Sequence, residues 1–160
     1  MKSVGLGAFL GTAIVLVITG TAQAPKAAFS VTAAAAYSEV RSGEEAYVKV
    51  ALTNNLNHVV TLEFASPLCD YSMEVRDSAG NLAPDTEAKS KSDCAHRHST
   101  GADGILQLKP YESATNTISV SMFSDMSRLG AYSVQAAWRE PKEVGGMLVK
   151  SNTVKITVVP

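Results

Sequence analysis

The chain has 160 residues, 14 of them basic and 15 acidic, for a formal net charge of −1. So even a balance lacks the basic excess that marks nucleic-acid or anionic-membrane binding, and it says only that the surface is mixed. The length suits one domain of β-sandwich size, able to bury about two-thirds of its unfolded surface.

The chain opens with one positive charge at Lys2, an apolar run from Val4 to Ile18, and Ala22-Gln23-Ala24, which has the form of a signal-peptidase site. We read residues 1–24 as a signal peptide and 25–160 as the domain, which places the protein outside the cytoplasm, in the periplasm or beyond. The apolar run falls short of the roughly 20 residues that span a bilayer. Pro25 follows the cut directly, which is awkward for processing, so cleavage after Ala22 or retention as an anchor stays open, and an anchor is the one route by which the sequence points to a membrane. In an exported chain Cys69 and Cys94 are expected to pair. They form no C-x-x-C pair and fit no zinc spacing.

Phe29 to Ala33 alternates and reads as a first strand, and Arg41-Ser42-Gly43-Glu44 as a turn. Ala46 to Thr53 predicts a strand with Val48, Val50 and Leu52 inward, followed by a loop at Asn54 to His58. Val59 to Ala65 and Tyr71 to Asp77 are the next strands, broken by Ser66 to Asp70. Gly80 supplies the positive φ of a hairpin turn, and Leu82-Ala83 begins a return strand that Pro84 cuts short. From Asp85 to Gly104 the chain is polar and aperiodic, the longest expected loop, and structureless loops of this length are usually functional or disordered. Ile105 to Leu108 leads through a turn at Lys109 to Ser113 into a strand from Ala114 to Met122, with Ile118, Val120 and Met122 in register. A polar corner at Ser124 to Gly130 precedes a strand in which Tyr132, Val134, Ala136 and Trp138 share the inward face. Glu140 to Gly146 is a second polar loop, and Val149 to Val158 is the last strand. This is an all-β pattern with no convincing amphipathic helix, and it predicts an antiparallel β-sandwich of seven to nine strands.

The sequence carries no Gly-x-Ser-x-Gly elbow, no His-Glu-x-x-His and no glycine-rich phosphate loop. No enzymatic activity and no cofactor are therefore expected. Loops on a rigid scaffold commonly carry recognition, so the candidate binding residues are Glu87, Lys89, Lys91 and Arg97 in the first polar loop and Glu140 and Lys142 in the second. The expected partner is a protein or a component of the cell envelope. The alternative is a metal-binding module. His96 and His98 share a face if the segment is extended, and imidazole suits copper or zinc.

Leu108-Lys109-Pro110-Tyr111-Glu112-Ser113, Asp125-Met126-Ser127-x-x-Gly130-x-Tyr132 and Ser151-Asn152-Thr153-Val154 together resemble the second half of bacterial immunoglobulin-like sandwiches. The sequence departs from that pattern at Tyr111, where glycine is usual, and at Leu129, where proline is usual. The resemblance implies an immunoglobulin-like fold and a structural corner of Asp125, Gly130 and Tyr132, in which the Tyr132 hydroxyl bonds back to backbone near 125–127. Val75-Arg76-Asp77-x-x-Gly80 with its long following loop is similar to small bacterial proteinase-inhibitor domains of immunoglobulin type. That implies inhibition by a disulfide-tethered loop as one form the binding function takes.

Overall fold

The computed structural model describes residues 27–64, 66–92, 94 and 104–160. The N-terminal segment through residue 26, which holds the expected signal, lies outside the described residues.

Nine strands form the fold: β1 (Phe29–Ala35), β2 (Glu39–Arg41), β3 (Tyr47–Asn54), β4 (Val60–Phe64), β5 (Tyr71–Arg76), β6 (Gly104–Leu108), β7 (Ser113–Ser119), β8 (Gly130–Arg139) and β9 (Leu148–Val159). One sheet has the order β1-β3-β7, a second the order β2-β9-β8-β5, and β4 and β6 form a separate pair. The protein is an all-β, immunoglobulin-like sandwich. Every pair of strands is antiparallel except β2 with β9, which run parallel, Val40 lying opposite Val158.

Alternation explains which side chains meet between the sheets. Val31, Val48, Val50, Leu52 and Ile118 come from the first sheet, and Tyr71, Val75, Tyr132, Val134, Trp138, Ile156 and Val158 from the second; all are buried in one core. Phe29 packs edge-on against Trp138, with ring centroids 5.0 Å apart, a geometry that adds to simple burial. The alanine run stays in the strand, because Ala33, Ala34 and Ala35 pair with Val50, Lys49 and Val48.

The β3–β7 ladder ends at Thr53 opposite Ser113 and resumes as β4–β6 at Val60 opposite Leu108. Asn54 holds this junction. Its fully buried side chain donates through Nδ2 to the carbonyls of His58, Leu108 and Lys109 at 2.9, 3.1 and 3.1 Å, and Oδ1 accepts from the Leu56 N–H at 2.9 Å. The residue expected to open an exposed loop is therefore a strand terminus whose amide replaces the interrupted ladder.

Three further expectations are corrected. The strand expected through Met122 stops at Ser119, and Val120–Met122 turns as a 3₁₀ helix, which buries Val120 and leaves Met122 40% exposed. The return after Gly80 is the short one expected, a single bridge between Arg76 and Leu82 that ends before Pro84. Short helical turns occur at α1 (Pro67–Asp70) and α2 (Glu87–Lys91), where only irregular chain was expected. Finally, β2 lies in a stretch that the sequence pattern assigns to no strand.

Candidate functional site

The site is built on α2. Thr86 caps it, its Oγ1 accepting from the Lys89 N–H at 3.1 Å and donating to the Met122 carbonyl at 2.6 Å. Glu87 lies in the first turn and Lys89 and Lys91 in the last, the order the helix dipole favours, and Lys91 pairs with Glu87 one turn apart. Five residues are too few for a helix to persist alone. Tertiary ties hold this one. Cys69 and Cys94 are joined in a disulfide, the Thr86 N–H donates to the Phe123 carbonyl at 3.2 Å, and Lys89 Nζ donates to the Leu68 carbonyl at 3.4 Å while lying 5.4 Å over the Phe123 ring.

Of the residues proposed from sequence, Glu87 and Lys91 are exposed on α2, Lys89 is half-buried and Lys142 is exposed in the second loop. Arg97, His96 and His98 lie outside the described residues. Glu140 is placed differently from the surface position that a binding role requires. It is 2% exposed, its Oε1 accepts from the Phe29 N–H at 2.9 Å, and its Oε2 has no hydrogen-bond partner. The side chain turns inward to cap the start of β1. Gly145, at φ +134°, passes so close that a Cβ there would come within 3.2 Å of Oε2, so the loop admits this carboxylate because a glycine faces it.

The corner residues lie together. Asp125 Oδ1 accepts from the Ser127 N–H at 2.9 Å, which holds its carboxyl below the usual carboxylate range. Gly130 takes φ +130°. The Tyr132 hydroxyl donates to the Arg128 carbonyl at 2.9 Å, one residue beyond the expected stretch. Leu129 is exposed at this corner and the turn forms without the proline usual there.

Between the corner and α2 lies a cleft of about 450 Å³, lined by Glu44, Glu45, Asp85, Glu87 and Asp125. It joins two residues singled out from sequence, Glu87 and Asp125, to three that were not. Sequence separation hid this grouping, since its members come from three segments far apart in the chain. Several of the carboxylates already serve neighbours: Glu44 accepts from the Arg41 N–H at 3.2 Å, and Glu45 accepts from the Tyr47 hydroxyl, raising that phenol's pKa. Among the described residues no group of three or more His, Cys, Asp or Glu is placed to hold a metal ion. His58, the one histidine described, is exposed beside Asn57 Oδ1 at 3.4 Å. No described helix is long and apolar enough to cross a membrane.

No protein-family model matches the chain, and no curated protein does. Solved structures of similar shape include the CARDB domain of the Pyrococcus furiosus protein PF1109 in complex with di-metal ions, at 16% identity and a TM-score of 0.44, covering 82% of this chain and 87% of that one. The solution structure of the same domain aligns at 16% identity and a TM-score of 0.41, over 82% and 94% of the two chains.

Proposed function

We propose that the protein is a non-enzymatic, exported binding module that recognises another protein or a cell-envelope component through charged loops on its sandwich. The observation that carries this reading is the Cys69–Cys94 bond, which fastens to the β5 side of the sandwich a helical turn whose charged side chains do little for the core. A disulfide here restrains a surface segment in an oxidising compartment. Holding Glu87, Lys89 and Lys91 in place before contact removes part of the ordering cost of association. The second loop presents Lys142, while Glu140 anchors that loop from within. The inhibitor reading is one form of this function, with the tethered segment entering a protease cleft.

The test is cross-linking in the intact cell envelope followed by mass spectrometry. We expect Glu87→Ala with Lys89→Ala and Lys91→Ala to abolish one cross-linked partner, and His96→Ala with His98→Ala to leave it in place. Retention of the partner by the triple variant overturns the reading. Loss only with the histidine variant transfers the function to metal.

A further inference from the structure

Four strands end the two main sheets: β1 and β7 in one, β2 and β5 in the other. Exposed edges invite pairing with another chain, and natural sandwiches blunt them. Three of these four are blunted. The β1 edge is occupied by Asn152, whose Nδ2 donates to the Ala33 carbonyl and whose Oδ1 accepts from the Ala33 N–H, both at 2.9 Å. β2 has only three residues, two of them Glu39 and Arg41. β5 carries the Glu74–Arg76 pair and is covered in part by the return chain, where the Ala83 N–H donates to the Val75 carbonyl at 2.9 Å.

β7 has none of these devices. It reads Ser-Ala-Thr-Asn-Thr-Ile-Ser, seven residues without a charge or a proline, and pairs with β3 in unbroken register. Among the described residues no strand pairs with its second edge. The flanking bonds, Val120 N–H to the Ala46 carbonyl at 2.7 Å and Asn54 N–H to the Glu112 carbonyl at 3.0 Å, give the phase of the ladder. The even-numbered residues of β7 bond to β3, and the odd ones, Ser113, Thr115, Thr117 and Ser119, aim N–H and C=O away from it.

We infer that β7 is a self-association edge, pairing antiparallel with the β7 of a second copy about a two-fold axis at Asn116. The occupant is argued from chemistry. The odd-numbered residues read Ser-Thr-Thr-Ser, the same in both directions. A register centred on Asn116 therefore sets Ser113 against Ser119 and Thr115 against Thr117 of the second copy. Thr115 and Thr117 are exposed, so the two central pairs each exchange two main-chain hydrogen bonds, while Ser119 is 6% exposed and the outer Ser113–Ser119 pairs add little. Two-fold pairing requires a surface complementary to itself. An uncharged edge meets its copy without repulsion, and Thr opposite Thr is a favourable cross-strand pair. The same edge borders a groove of about 390 Å³ walled by Phe64, Pro67, Tyr71, Leu106 and Ile105, the last 72% exposed. A strand seated there covers apolar wall as well as main chain.

Seven residues span about 24 Å at ~3.4 Å each. A contact that long and one strand wide falls below the roughly 1,000 Å² of a stable interface. The dimer is therefore weak and concentration-dependent, with a Kd on the order of 0.1 mM.

Sedimentation equilibrium of the oxidised, exported protein from about 10 μM to 1 mM tests this. The wild type should shift from monomer to dimer across the range. Thr115→Lys with Thr117→Lys places like charges opposite each other and should weaken association more than tenfold. Thr115→Lys with Thr117→Glu places opposite charges face to face and should restore or tighten it at low salt. Both side chains of the pair are exposed on the outer face, so unchanged urea midpoints at low concentration show that the fold is kept. A wild type monomeric at 1 mM overturns the inference, whether its own chain or nothing covers the edge. So does a dimer that both variants affect alike.

Discussion

Asn54 shows how much one side chain settles in this fold. An amide has two N–H donors and one carbonyl, and here they serve three carbonyls and a backbone N–H of two loops at once. We expect Asn54→Ala to cost about 2–4 kcal/mol, since it orphans several buried groups together, measured as a fall in urea midpoint with unchanged slope. A second residue-scale expectation concerns pH. The Asp125 carboxyl is held low by the Ser127 N–H, and that of Asp77 chiefly by the Asn81 N–H. Carboxyls depressed in the folded state stabilise it fully above their unfolded pKa, and that contribution is lost as pH falls through the folded value. Stability should therefore decline on acidification from about pH 4 downward. Asp125→Asn, which keeps the accepting oxygen, should flatten the decline in urea melts at pH 7 and pH 3; an unaltered slope would count against the corner as its source. The tyrosine that replaces the usual glycine at position 111 is also a residue-scale matter. Tyr111 takes φ +63°, a conformation costly for a residue with a Cβ, because the Tyr111 N–H to Asn54 carbonyl bond at 2.9 Å and the Lys109–Glu112 contacts hold the turn.

At the scale of elements, the strands were legible wherever alternation was strong. β3, β5 and β8 carry apolar residues at every second position, and each lies within a residue or two of its expected bounds. α2 was not legible by periodicity, since it buries no residue and so has no apolar face to reveal it. Its signal is chemical: Thr86 as cap, an acid first and bases last. β2 was hidden by its brevity, and its parallel partner lies more than a hundred residues away. The disulfide belongs to this scale, because it secures α2 rather than a sheet. Closing a loop of sequence separation 25 contributes about 3–4 kcal/mol on the chain-entropy argument. Cys69→Ala with Cys94→Ala should lower the urea midpoint accordingly. It should also speed hydrogen exchange at the Ser90 amide, bonded to the Thr86 carbonyl at 2.9 Å, while the amides of β8 remain protected. Equal loss of protection in β8 would show that the bond supports the core instead.

At the scale of the molecule, Asn152 decides how the two sheets meet at one side. It sits where the β8–β9 register slips between Gln135 and Ala137. A bulge re-aims the side chains beside it, and this one sends an amide across to pair with Ala33 in the other sheet. Asn152→Ala should cost about 0.5–1.5 kcal/mol by removing two partly buried hydrogen bonds to the Ala33 backbone. It should also raise exchange at the Ala33 amide ahead of the strand centres, whereas a uniform effect would deny the residue this bridging role. The sequence by itself determined the class of fold, the inward faces of the long strands and the corner residues, and it supplied just two cysteines to pair. Those follow from period-two burial, local turn chemistry and cysteine count, all of which are read without knowing distant partners. Only the tertiary structure decided that Glu140 points inward, that Asn54 and Asn152 replace missing ladder bonds, that five carboxylates from three segments line one cleft, and that among the described residues no strand pairs with the second edge of β7. Each of these depends on which backbone groups remain unpaired once the sheets are assembled, and that is settled by partners far apart in the chain.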